Sequence, residues 1–308
     1  MIILEDLSPE ERKMYLEERK KKLEAQKQAD EKIGAGDETR YRCEQINIIK
    51  LNGVISAHST IKTEYLLRFI DRNNAEVLLT DSIYNFFTQG TEELVGFISS
   101  SDRIKDRMHY ALDERGRIKE ILNKKELIEK WNAFRNRLGD NPYMKKLDRK
   151  AKENIIKAGD MEFSSSNEIL FKNAYANLFN QIIFGQYLKH DFGNFQGEIM
   201  KTQSHFFPDI KFDVNCETKK QTESEESVTY LNTGKPLYVN ISDMILLYEK
   251  FYKEQLQYKF TDYRYELEMN YTVSKKDNRI IEANVCINEA VKNNMESQVL
   301  YNLKKVEL

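Results

Sequence analysis

The feature that most constrains this chain lies near its end. From residue 262 to 273, Tyr263, Tyr265, Leu267, Met269, Tyr271 and Val273 alternate without a break with Asp262, Arg264, Glu266, Glu268, Asn270 and Thr272. A period of two puts one set on each side of a pleated strand, and a helix cannot sort these residues onto separate faces. Residues 275–278 form a turn, after which Ile281, Ala283, Val285 and Ile287 alternate with Glu282, Asn284 and Cys286. Val299, Tyr301 and Leu303 mark a third strand. The pattern predicts an antiparallel meander with one wet face.

Upstream, extended and helical patterns come in separate runs rather than as βαβ units, which predicts an α+β fold. Three parts are expected: a projecting charged N-terminal helix with a Gly hinge over 1–36, a β-hairpin/helix domain with basic helices over 37–160, and an aromatic-rich helix and sheet domain over 161–308 in which the meander packs on long helices. Ser8, Pro9 and Glu11 are the cap, first-turn proline and capping-box acid of a helix over 8–33. Its apolar stripe is thin, chiefly Tyr15, Leu16 and Leu23, so it suits a surface or a partner rather than a core. Residues 40–51 look extended. Ile61, Thr63, Tyr65, Leu67 and Phe69 share one face of a strand, and Asp71 to Asn74 turn it into AEVLLT. Asp81 or Ser82 is read as the cap of a helical IYNFF segment, with a shorter helix from Thr91.

A second hairpin follows around residues 113–116, and Asn123 is read as the cap of a helix that buries Leu127, Trp131, Phe134 and Leu138. Aligning Asp71 with Asp113 also aligns Asp81 with Asn123, a spacing that a diverged duplication or convergent hairpin punctuation explains equally. Residues 142–158 form a basic helix and 167–189 a wide-faced core helix. TKKQTESEES is a polar loop, and Ser242 caps a helix to about Tyr258.

No secretory leader pattern opens the chain, because Glu5 and Asp6 interrupt the first apolar residues. The longest uncharged stretch, 173–188, carries Asn173, Asn177, Asn180, Gln181 and Gln186, which is too short and too polar for a spanning helix. Cys43, Cys216 and Cys286 are odd in number and far apart, with no disulfide or zinc spacing. A cytosolic protein is expected, and the Lys, Asn and Ile usage suits an AT-rich bacterial genome.

Chemistry is harder to find. Phosphate-loop, dinucleotide, zinc-protease and nucleophile-elbow motifs are absent. His190–Asp191 and His205 with Asp209 could hold a metal or relay a proton, but their spacing matches no ligand signature. Glu266, Glu268 and Glu282 could pair as acid and base, although Arg264 beside them suits an ordinary charged sheet surface. No catalytic residue, cofactor or metal is assigned. Residues 124–157 hold 11 basic and 5 acidic side chains in a chain of net charge −2. Lys145, Lys146, Arg149 and Lys150 are therefore candidates for a partner-binding face, together with Tyr15, Leu16 and Leu23. With the tyrosine-rich sheet, these features favour a non-catalytic protein-binding adaptor, chaperone or assembly component, for instance for secretion-system cargo, whose partner is a protein with an acidic surface. Nucleic acid is the weaker fit, since aromatic residues among the cations are few. A binding cup for an apolar small molecule or lipid is the alternative, and an enzyme with an unrecognised site a third reading.

Overall fold

In the computed structural model, which describes residues 38–87, 91–164, 166, 168–185, 195–207 and 210–306, the chain builds one sheet. Its strands are β1 (Glu38–Leu51), β2 (Val54–Asp71), β3 (Asn74–Phe86), β4 (Arg107–Leu112), β5 (Ile118–Ile121), β6 (Phe195–Gln203), β7 (Lys211–Glu223), β8 (Ser227–Pro236), β9 (Tyr263–Ser274), β10 (Ile280–Val291) and β11 (Met295–Val306). They run in the order β5-β4-β3-β2-β1-β11-β10-β9-β8-β7-β6, every neighbour antiparallel. Two meanders are thus joined where the first strand meets the last, from Arg40 opposite Val306 to Leu51 opposite Met295.

This corrects the expected α+β arrangement of hairpin/helix units beside a C-terminal meander. A single 11-stranded antiparallel sheet organises the described chain, and the helices are secondary to it. The alternation of the last three strands holds: Tyr265, Leu267, Met269, Tyr271 and Val273 are buried, as are Val285, Val299, Tyr301 and Leu303. The N-terminal helix with its hinge, and with it Tyr15, Leu16 and Leu23, lies outside the described residues.

Local corrections have local causes. β3 continues through 81–86 where a helix is expected. Tyr65 pairs with Leu79 but Glu64 with Asp81, so Thr80 is an extra residue, and its hydroxyl donates to the Glu64 carbonyl at 3.1 Å. The bulge switches the inward set from Ala75, Val77 and Leu79 to Ser82 and Tyr84 and destroys the simple alternation. The Asn123 side chain does not cap its helix; its Oδ1 accepts from His109 N–H at 3.0 Å and its Nδ2 donates to the Arg107 carbonyl. TKKQTE is the end of β7, not a loop. Thr218 is buried and accepts from Asn232 Nδ2 at 2.7 Å, and from Lys219 to Glu223 the strand is exposed on both faces while it pairs with β8, so its polarity carries no penalty.

The helices are α1 (Glu92–Asp102), α2 (Lys124–Arg135), α3 (Pro142–Lys146), α4 (Arg149–Glu162), α5 (Glu168–Ala176), α6 (Leu178–Gly185), α7 (Ile241–Phe251) and α8 (Lys253–Leu256). Five of them, α2 to α6, fall between β5 and β6, the two outermost strands of the sheet. Ten inter-strand spacings of about 4.8 Å separate those edges, so the chain must travel roughly 48 Å. It crosses on the apolar face, where Phe179, Ile182 and Ile183 are fully buried. The expected single core helix over 167–189 is two helices: Asn177 breaks it, and its Oδ1 accepts from Asn180 N–H at 3.3 Å.

Trp131 joins α2 to α4. It is 5% exposed, donates from Nε1 to Asp160 Oδ1 at 2.9 Å, and stacks on Phe163 with ring centroids 5.6 Å apart. A Cβ on Gly159 would stand 2.2 Å from this ring, which its hydrogen bond and stacking hold in place. Gly159→Ala should therefore destabilise the fold by about 1–2 kcal/mol, overpacking outweighing the gain in helix propensity. Gly139→Ala, where the added carbon meets nothing within 4 Å, should change stability by less than about 0.5 kcal/mol. Urea unfolding of the two variants checks the contrast.

Candidate functional site

The inner face of the sheet is not filled everywhere. Between β1–β4 with β11 below and the α5–α6 junction above lies a cavity of about 240 Å³. Its floor is Ile61, Tyr65, Val77, Leu79, Met108 and Tyr110, with Tyr301 at the central strand pair. Ala174, Leu178 and Phe179 form the roof. Phe179 stacks on Tyr65 at 4.2 Å and meets the edge of Tyr41 at 5.9 Å, so roof and floor are locked by aromatic contacts.

Polar groups share the lining, beginning with Gln45 on β1 and Thr63 on β2. Asn173, Asn177 and Asn180 line it from the roof, and Asp102 and Lys105 from the end of α1 and the turn after it. Tyr84 donates its hydroxyl to Asp102, and Lys105 is held by Glu162 on α4 at 2.9 Å. Asn180 Nδ2 donates to the Tyr110 hydroxyl at 3.0 Å and to the Ala174 carbonyl at 2.7 Å, which leaves Oδ1 as a buried acceptor without a partner. An unsatisfied buried acceptor costs about 1–3 kcal/mol, so it calls for a donor.

Burial dominates the acid–base properties. It pushes the Tyr65 phenol up to about 12, and the Tyr84, Tyr110 and Tyr301 phenols are raised for the same reason. The Cys43 thiol, on the same inner face, is pushed up to about 12 by burial. These groups stay protonated at neutral pH, as hydrogen-bond donors rather than nucleophiles.

The residues singled out from the sequence lie elsewhere. Lys145, Lys146, Arg149 and Lys150 are exposed on α3 and α4; Lys146 pairs with Glu93 at 2.8 Å and Arg149 with Glu153 at 2.7 Å. His190, Asp191 and Asp209 lie outside the described residues. Glu266 and Glu268 face Asn288 and Cys286, whereas Glu282 faces Thr272, so register keeps the three acids apart. Among the described residues no group of three or more His, Cys, Asp or Glu is placed to hold a metal ion. None of their helices is long and apolar enough to cross a membrane.

Two features were missed. Asn173, Asn177 and Asn180 repeat at i, i+4 and i+7, a polar stripe on a core helix that marks the roof of a cavity. Glu289 extends the inward set of β10 and is fully buried; it accepts from the Tyr263 hydroxyl at 3.0 Å, from His205 N–H at 2.6 Å and from Ser204. That carboxylate fastens the turn after β6 to the sheet. His205 Nδ1 contacts Ser297 Oγ at 3.0 Å rather than Glu289, so these residues form an anchor and not a relay.

No family model and no curated protein matches the chain. Among solved structures, one described as "lipid-protein interactions in lipovitellin" matches with TM-score 0.47 and 10% identity over 89% of this chain; the chain spans a quarter of its length, 25%. A LolA superfamily protein, NE2245 from Nitrosomonas europaea, matches over 93% of this chain and 94% of its own with TM-score 0.19 and 9% identity. These values assign the chain to no family.

The adaptor reading, with its chaperone and secretion-cargo versions and its acidic protein partner, is corrected. The inner face of the sheet opens into a lined cavity rather than presenting a flat interaction surface, which fits the binding-cup alternative better. The sheet tyrosines face inward rather than forming an interaction surface: Tyr230, Tyr265, Tyr271 and Tyr301 are each less than 5% exposed.

On the reverse of the cavity floor, Glu76 is 2% exposed and is reached by Arg107 Nε at 2.5 Å, Arg68 Nη1 at 3.1 Å and His109 Nε2 at 2.6 Å. Burial alone would raise its pKa, but His109 and Arg107 outweigh it and the net shift is downward. A lowered folded-state pKa contributes stability above the unfolded carboxylate value, and that contribution is lost as pH falls through the folded value. Glu76→Gln should cost about 2 kcal/mol at neutral pH. The gap from the unmodified protein should shrink as pH falls below about 4. Urea titrations across pH measure it.

Proposed function

We propose that the chain binds a small apolar molecule of lipid type, with a hydrocarbon body and one hydrogen-bonding end, between the sheet and the α5–α6 roof. The observation that carries this reading is the cavity itself: aromatic and aliphatic residues of floor and roof, with polar side chains at Gln45, Thr63, Asp102, Lys105 and the three roof asparagines to orient a ligand. Small-molecule sites are typically apolar spaces in which a few polar groups fix orientation. At about 240 Å³ the space is just under the roughly 300–1,000 Å³ of ordinary sites. It suits a single chain or ring rather than a multi-chain lipid. The polar side chains of the lining favour a ligand with one hydrogen-bonding end, such as a hydroxyl or a protonated acid.

Native mass spectrometry of the purified protein, organic extraction and displacement of a fluorescent fatty-acid probe by decanol test this. Bound apolar molecules or probe displacement are expected, with the unfolding temperature rising in step with decanol concentration. Ala174→Phe, which fills the roof, should weaken probe binding at least about tenfold; a shape mismatch of 1.4 kcal/mol suffices. An empty protein that takes up no probe, or a folded Ala174→Phe variant that binds as well as the parent, would overturn the reading.

A further inference from the structure

An apolar ligand is scarce in free solution, so a protein of this kind must meet a surface that holds it. Charge on α3 and α4 points to one. The three acids of α4 are all engaged: Glu153 by Arg149 at 2.7 Å, Asp160 by Arg135 at 3.2 Å, and Glu162 by Lys105 at 2.9 Å. Lys145, Lys150 and Lys157 are exposed and have no ion-pair partner among the described residues. Lys150, Asn154, Lys157 and Met161 follow at i, i+4, i+7 and i+11, one face of the helix, and Met161 is 48% exposed. The opposite side is pinned to the protein through Gly159 and Trp131. An outward face of uncompensated lysines with an exposed apolar side chain is complementary to an anionic lipid surface.

Position supports the same conclusion. Glu162, at the end of α4, holds Lys105, and Lys105 lines the cavity. The cationic helix is therefore tied directly to the cavity wall. Nucleic acid fits less well, because the neighbouring aromatic rings among the described residues are spent on one another: Phe97 packs on Phe134 at 6.0 Å and on Tyr143 at 5.4 Å.

We infer that the α3–α4 face docks on anionic membrane surfaces, and that it does so to bring the cavity to its ligand; the purpose, though not the docking, rests on the apolar-ligand reading. The full chain should sediment with vesicles of phosphatidylcholine and phosphatidylglycerol at low salt, not with phosphatidylcholine alone, and should be released as salt rises. Each lysine near a charged bilayer contributes about fivefold in affinity, so K145Q/K150Q/K157Q should weaken binding about a hundredfold. Its uptake of the fluorescent fatty-acid probe should be unchanged. Equal sedimentation of parent and triple variant, equal binding to neutral vesicles, or tighter binding of a labelled single-stranded oligonucleotide than of anionic vesicles would overturn the inference. Salt-sensitive vesicle binding without probe uptake in either protein would leave the docking standing and remove the ligand reading instead.

Discussion

The structure depends on one covering constraint. An antiparallel sheet with an apolar face must hide that face, and the chain leaves the sheet at one outer edge and re-enters at the other. The segment between β5 and β6 has no short route, so it becomes the cover. Its helices need apolar residues toward the sheet and charged ones outward, as Phe179, Ile182 and Ile183 on one side and the lysines of α4 on the other illustrate. Cavity, roof and cationic surface thus arise from a single crossing.

A crossing assembled from short helices cannot match the sheet everywhere. Where α5 gives way to α6 the roof carries asparagines, and packing beneath it is incomplete. In the other half of the sheet one charged residue on the inner face, Glu289, is served by hydroxyl and amide donors and the turn is closed over it. Other buried polar atoms are left open in both halves, Asn232 Oδ1 and the Tyr230 and Tyr265 hydroxyls in one and Asn180 Oδ1 in the other, and Asn180 stands apart in lining a cavity. Completed polar networks favour a single rigid arrangement, whereas open ones mark places where something else fits.

Much of β9 to β11 was legible because their side chains alternate over long unbulged stretches. β3 was not, because one extra residue at Thr80 exchanges inside for outside. The Asn52–Gly53 turn joining β1 to β2, with φ of 50° and 78°, carries a strong hairpin signal that was passed over beside the irregular pattern of 40–51. The pairing of β1 with β11 had no local trace, since residues over 240 positions apart leave no periodicity in each other's sequence. The site was hidden for a related reason. Asn173, Asn177 and Asn180 served only to exclude a membrane span, because an asparagine stripe gains meaning only once the opposing face is known to be sheet.

The meeting of β1 and β11 at the centre of the sheet also imposes an order on synthesis. β1 is made early but must wait for β11, about 250 residues later, which at roughly 5–20 residues per second is on the order of 10–50 s. Until then the β1–β5 meander presents a 14-residue strand with an open hydrogen-bonding edge. Such an edge is the kind that recruits other chains. The newborn protein is therefore most vulnerable to misassociation at what becomes the most protected seam of the finished one.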